Sequence, residues 1–241
     1  VKKKILVITP VRHIKGVPEI LEAAGEVTYL DDPTLEQVVA LVPEYDALFT
    51  NPNMSNVFLG KEVLEANPRL SAICTASTGT NHIDKKLAAE LNIPVLSLTE
   101  ERPVIERISS TAEHSFALMM AALRKVPWSF DSVKRGEWDY TPYIGRQLNA
   151  LTVGVVGYGR LGVKFARYCA CFDARVLVCD PYKNVDDPAM EQMELETMLP
   201  LCDVVSVHVH VTPETQEMFN ARLLGMMKND VVLVNTARGD M

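Results

Sequence analysis

The chain of 241 residues is long enough for one large domain or two small ones, and its 48% hydrophobic and 23% charged residues are ordinary proportions for a globular protein. A net charge of −7 without a large basic cluster argues against nucleic acid as a partner, and we find no apolar run long enough for a membrane span and no signal peptide. The five cysteines lack C-x-x-C spacing, so we expect no metal site and no disulfide framework, and a cytoplasmic location.

The first hundred residues alternate between short apolar runs and stretches with helical spacing of apolar residues. The runs predict strands at 4–9, 26–30, 46–50, 70–75 and 93–98, and the stretches between them predict helices at 17–24, 34–42, 61–66 and 84–91. This alternation is typical of a parallel sheet covered by helices on both faces. We therefore expect residues 1–100 to form a complete small α/β domain.

Two loops of this first domain follow predicted strands, at the edge of the sheet where ligands of such folds bind. The first, at 51–54, reads Asn-Pro-Asn-Met, and the second, at 76–80, is built of small residues. Backbone N–H groups of the second loop could bind an anion such as a carboxylate. The same composition also suits a flexible turn, and the residues alone leave both interpretations open.

A charged connector at 100–107 precedes a long predicted helix. Ser110 and Glu113 have the spacing of a capping box, which predicts that they exchange hydrogen bonds with the first turn of this helix. His114 lies on the same helix without an acidic neighbour, and we interpret it as structural. The methionines and other apolar residues that follow are interpreted as core or hinge packing.

Pro127 interrupts the helical pattern, and a second helical stretch runs to residue 135. The loop at 138–147 is then unusually rich in aromatic residues, namely Trp138, Tyr140 and Tyr143. Aromatic side chains in a loop suit packing against another protein surface.

The sequence GVVGYGRLG at 154–162 follows an apolar run and leads into another helical stretch. Its glycines Gly157, Gly159 and Gly162 match the G-x-G-x-x-G pattern, in which they serve a tight turn, close approach to a pyrophosphate and close packing of helix on strand. About twenty residues later Asp180 ends the next apolar run, where a carboxylate would bind ribose hydroxyls and favour NAD over NADP. The alternative is an ordinary glycine-rich turn between a strand and a helix.

Further strands are predicted at 203–207 and 231–234, and each is followed by a polar segment. Six segments then match, in order, the motifs of one family: 77–84, 111–113, the glycine turn, 180–181, 212–215 and 235–239. With them the chain resembles the D-isomer-specific 2-hydroxyacid dehydrogenases, which include phosphoglycerate, glycerate, D-lactate and formate dehydrogenases. The resemblance implies two doubly wound parallel-sheet α/β domains, a flavodoxin-like substrate lobe and a Rossmann NAD-binding lobe, joined by crossing helices.

The resemblance also implies roles for single residues. Arg238 would be the catalytic arginine, which binds the carboxylate and carbonyl of a 2-keto acid beside the nicotinamide; a bidentate, always charged donor suits that task. The substrate would contact Asn53, Met54, Thr78 and Gly79. The NAD cofactor would contact Gly157, Tyr158, Gly159, Arg160, Leu161, Gly162, Asp180, His208, Thr212, Thr236 and Ala237.

Two features depart from the family pattern. The family places an acidic residue and a proton-transferring histidine after the arginine, but all five histidines of this chain precede Arg238. The predicted nucleotide sheet also has four strands where six are expected. We therefore expect a C-terminally truncated dehydrogenase, with a substrate lobe at 1–100 that lacks its C-terminal return segment and an NAD lobe at 101–241 that stops after the fourth strand. His210 replaces a proline that is usual in the family.

The first functional hypothesis is an NAD-dependent oxidoreductase that transfers a hydride between nicotinamide and C2 of a small 2-hydroxy or 2-keto acid. An unphosphorylated acid is favoured, because no lysine or arginine lies at 51–56. The alternatives are an NAD-binding regulatory or scaffold protein, such as the corepressors that use this fold, or an inactive fragment. The resemblance further implies a homodimer formed through the nucleotide lobe by residues 109–147.

Overall fold

The computed structural model describes residues 2–52, 55–239 and 241, and it divides into two compact units, Val1–Arg107 and Ile108–Met241. Each unit contains one five-stranded sheet in which all pairs of neighbouring strands are parallel. The predicted fold class, two doubly wound α/β domains, is therefore confirmed. In the described part of the chain, no helix combines the length and the apolar character needed to cross a membrane.

The first unit has the strand order β2-β1-β3-β4-β5. Its strands are β1 (Lys4–Val7), β2 (Glu26–Tyr29), β3 (Ala47–Thr50), β4 (Ala72–Thr75) and β5 (Val95–Leu96). Its helices are α1 (Val17–Ala24), α2 (Leu35–Leu41), α3 (Lys61–Ala66), α4 (Lys85–Glu90) and α5 (Arg102–Ile105). Fully buried strand residues such as Leu6, Leu48 and Ile73 pack with Val38 and Val63 from the helices, which explains why the strands read as continuous apolar runs.

The second unit has the strand order β10-β9-β6-β7-β8. Its strands are β6 (Thr152–Val156), β7 (Arg175–Cys179), β8 (Met190–Gln192), β9 (Val204–Val207) and β10 (Val232–Asn235). Its helices are α6 (Ser110–Leu123), α7 (Val126–Lys134), α8 (Arg160–Cys171), α9 (Leu195–Met198) and α10 (Ala221–Leu224). One buried cluster lies between α6, α8 and the sheet, where Met119, Phe165 and Val155 are fully buried. A second buried cluster includes Leu177, Met198 and Val205.

The prediction of four strands in the nucleotide sheet was wrong by one, because it missed β8. This edge strand has three residues, Met-Glu-Gln, of which Glu191 and Gln192 are exposed. An exposed polar edge strand needs no run of apolar residues, and the pattern that reveals buried strands is therefore absent.

The predicted capping box at Ser110 is also corrected. The helix begins at Ser110, and the flanking residue Ser109 has helical backbone angles (φ −109°, ψ −12°) and makes no side-chain capping bond. The Ser109 hydroxyl instead donates to the Glu113 carboxylate. An N-cap side chain needs an extended backbone to reach the free N–H groups, which Ser109 does not have.

Candidate dinucleotide site

Polar segments follow four adjacent strands of the second unit. The glycine turn follows β6, Asp180 follows β7, His208 and Thr212 follow β9, and the segment 236–239 follows β10. In the order β10-β9-β6-β7 these strands are neighbours, so their carboxyl ends lie along one edge of the sheet. The strand order reverses between β9 and β6, and ligands of doubly wound sheets bind at such a point.

The three glycines of the glycine turn differ in backbone conformation and in the space around them. Gly157 has φ +94°, a conformation that other residues rarely adopt. A Cβ on Gly162 would lie 2.0 Å from the carbonyl oxygen of Gly157, so only glycine lets α8 pack this close to the turn. Apart from Gly159 itself and its two neighbours in the chain, a Cβ on Gly159 would meet no atom of the described residues within 4 Å. Open space therefore lies beside the N-terminus of α8, where free backbone N–H groups attract anions.

The remaining residues of the turn are held by the surrounding unit. Tyr158 is buried, and its hydroxyl donates to the sulfur of Met190 on β8 at 3.0 Å. Arg160 is the first residue of α8, and its guanidinium donates to the carbonyl of Ile108. Leu161 packs against the buried core of the unit.

The carboxylate of Asp180 is anchored by two backbone N–H groups. Its Oδ2 accepts from Tyr158 at 2.7 Å, and its Oδ1 accepts from Tyr182 at 2.9 Å. An ionised carboxylate has about four acceptor positions, so about two remain for a ligand. Asp180 thus presents free acceptor positions directly beside the glycine turn.

The segment that follows Asp180 makes contacts that the sequence did not predict. The hydroxyl of Tyr182 donates to the carboxylate of Glu214 at 2.9 Å, which joins the loop after β7 to the loop after β9. The side chain of Gln192, on the missed strand β8, makes three hydrogen bonds to the backbone at 180–185. Glu214 lies within the recognised motif at 212–215, but that motif does not indicate Tyr182 as its partner. Gln192 lies in none of the recognised motifs, so the sequence contained little signal for either contact.

His208 is packed below the glycine turn. Its Nε2 lies 2.9 Å from the hydroxyl of Ser206, and its ring centroid lies 4.9 Å from that of Phe165 on α8. Burial lowers the pKa of His208 to about 4, so the imidazole is neutral at pH 7. The backbone oxygen of His208 lies 2.8 Å from where a Cβ on Gly157 would stand, which places the chain after β9 against the turn.

The loop that contains Thr212 is closed by its own hydroxyls. The Thr215 hydroxyl accepts from the N–H of Thr212 at 2.8 Å and donates to the carbonyl of His210. In return the Thr212 hydroxyl accepts from the N–H of Thr215 at 3.3 Å. His210, which replaces the family's usual proline, is exposed and contributes its carbonyl to this turn.

The segment after β10 is fixed around Arg238 by side-chain hydrogen bonds. Asn235 accepts from the N–H of Ala237 at 3.0 Å and donates to the carbonyl of Arg238 at 2.8 Å. The hydroxyl of Thr236 lies 2.6 Å from that of Ser115 on α6. Since Ser115 donates its proton to the carbonyl of Thr111, Thr236 is the donor to Ser115. The partly buried Arg238 donates to the carbonyl of Ala237 at 2.7 Å.

A cavity of about 480 Å³ lies beside this segment. His114, which we interpreted as structural, is exposed on α6 and lines this cavity. The other residues that line it are Ser110, Thr111, Leu118, Asn235 and Thr236.

In the first unit, the loop at 76–80 is held by hydroxyl groups. Ser77 donates to the carbonyl of Gly79 at 2.5 Å, and Thr99 donates to the carbonyl of Thr78 at 3.1 Å. Both predicted substrate residues of this loop therefore have fixed carbonyl groups. The other two, Asn53 and Met54, lie outside the described residues.

The residues present in the second unit fit a bound dinucleotide. The open space beside Gly159 lies at the start of α8, and the carboxylate of Asp180 lies next to the turn with acceptor positions free. A diphosphate and a ribose diol are the groups that such a pair of features recognises.

The comparisons with known proteins agree with this geometry. The sequence profile of the family "D-isomer specific 2-hydroxyacid dehydrogenase, NAD binding domain" matches residues 116–241. D-3-phosphoglycerate dehydrogenase from Archaeoglobus fulgidus is 31% identical over 239 residues, which are 98% of this chain and 44% of that protein. Hydroxypyruvate reductase from Thermotoga maritima is 30% identical over 204 residues, 85% of this chain and 64% of that protein.

Among solved structures, D-lactate dehydrogenase from Aquifex aeolicus, complexed with NAD and lactic acid, superposes with a TM-score of 0.85 at 29% identity. The match covers 98% of this chain and 69% of that one. The chain spans less than half the length of the phosphoglycerate dehydrogenase that it matches. The family profile covers more than half of the chain, and the protein therefore belongs to the D-isomer-specific 2-hydroxyacid dehydrogenases and carries their NAD-binding domain.

Proposed function

We propose that the protein is an NAD-dependent oxidoreductase that interconverts a small 2-hydroxy acid and the corresponding 2-keto acid. The observation that carries the proposal is the pairing of the glycine turn with the Asp180 carboxylate inside the family's NAD-binding domain. Nicotinamide, when bound, accepts or supplies the hydride at C2 of the acid. The residues of this chain bind and orient the reactants.

The proposed cofactor residues divide by the part of the dinucleotide that they would face. The turn at 157–162 and the N–H groups at the start of α8 would bind the diphosphate, and Asp180 would bind the ribose hydroxyls of the adenosine. The proposed cofactor residues also include His208 and Thr212 from the segment after β9. Thr236 and Ala237, from the segment after β10, complete the set.

Arg238 is the proposed catalytic residue, and it would bind the carboxylate and polarise the carbonyl of the keto acid. The hydrogen bonds of Asn235 and Thr236 support this proposal, because they fix the backbone from which the guanidinium projects. We expect Arg238→Gln to abolish turnover while the Kd for NADH changes less than threefold. A variant that keeps more than a tenth of the activity would contradict the role.

The proposed substrate residues are Asn53, Met54, Thr78 and Gly79, and the proposed lobe that carries them is 1–100. The absence of lysine and arginine at 51–56 supports an unphosphorylated acid. The relatives point both ways, since one is a phosphoglycerate dehydrogenase and another a hydroxypyruvate reductase. Oxidation of NADH in the presence of pyruvate, hydroxypyruvate or 3-phosphohydroxypyruvate separates these possibilities.

That assay also tests the function itself, and it should use residues 1–241 and any longer product of the same gene. We expect NADH oxidation with at least one 2-keto acid. If NADH binds saturably but no keto acid is reduced by either form, the second candidate holds, an NAD-binding regulatory or scaffold protein. If NADH does not bind, both candidates fail.

We also propose a homodimer formed through residues 109–147. Trp128, Phe130, Trp138, Tyr140 and Ile144 each expose more than half of their surface, which is unusual for side chains of this size. Light scattering should give twice the chain mass of 26.8 kDa. The double variant Phe130→Glu with Trp138→Glu should be monomeric, whereas Ile20→Glu, at an exposed position of the first unit, should stay dimeric. A monomeric unsubstituted protein would contradict the proposal.

A cytoplasmic location is proposed as well, because all five cysteines are free thiols. Fractionation of cells that express the gene would test it, with the protein expected in the cytoplasmic fraction.

A further inference from the structure

The side-chain amide of Gln192 forms a clamp on the segment that follows Asp180. Its Nε2 donates to the carbonyl of Asp180 at 3.1 Å and to the carbonyl of Lys183 at 2.7 Å. Its Oε1 accepts from the N–H of Val185 at 3.0 Å. Both amide protons and the amide oxygen are therefore used, and all three bonds go to residues 180–185.

The clamp and the glycine turn hold Asp180 from two sides. Gln192 binds the main-chain carbonyl of Asp180, and the N–H of Tyr158 binds its carboxylate. A change at Gln192 would release the main chain at 180–185, which includes Tyr182, whose N–H anchors Oδ1 of Asp180. The carboxylate would then be held by the Tyr158 bond alone and would be less well fixed relative to the turn. The position of a hydrogen-bonding group within about 0.5 Å matters for binding a ligand.

The neighbouring residue on β8 has a different connection. Glu191 pairs with Arg175, at the start of β7, at 2.8 Å. Gln192 and Glu191 are both exposed residues of one edge strand, but only Gln192 is bonded to the segment beside the proposed ribose position. Glu191 is therefore a matched control for effects on the strand itself.

From these contacts we propose that Gln192 is a positioning residue for NAD, which holds Asp180 in place for the ribose hydroxyls of the adenosine. The proposal rests on binding of NAD by this domain and on the proposed role of Asp180. It assigns a cofactor function to β8, which is not followed by a family motif, whereas the other four described strands of the sheet are.

A double-mutant cycle on NADH binding tests the proposal, with Kd measured by fluorescence titration and the melting temperature of each variant measured in parallel. Gln192→Leu removes all three bonds. Gln192→Glu keeps the acceptor for Val185 but cannot donate to the two carbonyls. We expect each variant to raise the Kd for NADH about tenfold, while Glu191→Gln changes it less than twofold.

The cycle distinguishes positioning from general support of the fold. If Gln192 acts through Asp180, then Gln192→Leu has no further effect on the Kd once Asp180→Ala is present. Additive effects of the two substitutions, or an unchanged Kd in both Gln192 variants, would overturn the proposal. Weaker binding that merely follows a lower melting temperature would overturn it too. If the unsubstituted protein shows no saturable NADH binding, the cofactor assignment fails together with this proposal.

Discussion

The carboxylate of Asp180 accepts a hydrogen bond from the N–H of Tyr158 at 2.7 Å, and this bond joins the end of β7 to the glycine turn after β6. The charged group that would bind a ribose and the backbone that would bind a diphosphate are thus parts of one hydrogen-bonded unit. Removing either should affect the other.

The first prediction concerns the choice of cofactor at Asp180. Asp180→Ala should raise the Kd for NADH about tenfold, because two acceptor positions for hydroxyls are lost. It should weaken NADPH binding less, or improve it, because the carboxylate no longer repels the extra phosphate. Titration with both nucleotides checks this. An unchanged ratio of the two Kd values would show that Asp180 does not face the ribose.

The second prediction concerns the packing of Gly162. Gly162→Ala places a methyl group against the carbonyl oxygen of Gly157, and we expect a loss of about 3 kcal/mol in the free energy of unfolding. The melting temperature should fall by several degrees, and NADH binding should be lost with the displaced turn. A variant with unchanged stability would show that helix α8 does not pack this closely.

The third prediction concerns Asp203, where three groups meet. Its carboxylate accepts from the N–H of Thr152, from Arg146 at 2.8 Å and from Lys228 at 2.9 Å. Burial raises the pKa of Asp203, but these hydrogen bonds and the charge of Lys228 outweigh it, and the pKa is lowered overall. Asp203→Asn should therefore destabilise the protein by about 2 kcal/mol at pH 7.

The sign of the pH dependence follows from that lowered pKa. The stabilisation by Asp203 is complete above its unfolded pKa of about 3.9 and disappears as the pH falls through the lower folded value. Urea unfolding at pH 7 and pH 3 should show the difference between Asp203→Asn and the unsubstituted protein shrinking at the lower pH. Asp230→Asn, at the exposed partner of Arg146, should change stability little. A difference that stays constant with pH would contradict the account.

The fourth prediction concerns acid sensitivity at His208. Because its folded pKa of about 4 lies below the unfolded value of about 6.5, the unfolded chain binds a proton that the folded chain does not. Stability should fall between pH 6.5 and pH 4, by up to about 1.4 kcal/mol per pH unit. His208→Gln should lose this fall in stability with pH, whereas His210→Gln, at an exposed position, should keep it. Identical melting curves against pH for the two variants would refute the neutral imidazole of His208.

The strands and motifs that could be predicted from the sequence are those in which burial or ligand binding restricts the residue types within a short segment. Strands such as β6 and β9 are covered on both faces and therefore read as apolar runs. The glycine turn was recognisable because Gly157 needs a positive φ and Gly162 packs against the turn, while Gly159 leaves open space at the start of α8. The break between α6 and α7 was also visible, since Pro127 stands in the first turn of α7.

The features that were missed depend on contacts between distant residues. Strand β8 forms because it pairs in parallel with β7. The polar sequence of β8 does not by itself predict a strand. The clamp by Gln192 and the bond between Thr236 and Ser115 join residues 7 to 121 positions apart. Side-chain partners of this kind follow from the fold, and a single sequence contains no periodic signal for them.

The central claim is that the open space beside Gly159 is where the diphosphate of NAD binds. Gly159→Ala adds a methyl group that, apart from its own residue and the two chain neighbours, meets no atom of the described residues within 4 Å. The backbone there is one that any residue adopts (φ −74°, ψ −169°). The decisive measurement is NADH titration of the unsubstituted protein and of this variant, at melting temperatures that agree within about 2 °C. We predict saturable binding by the unsubstituted protein and a Kd raised at least about tenfold in Gly159→Ala. Equal affinities, or no saturable binding by the unsubstituted protein, would contradict the claim.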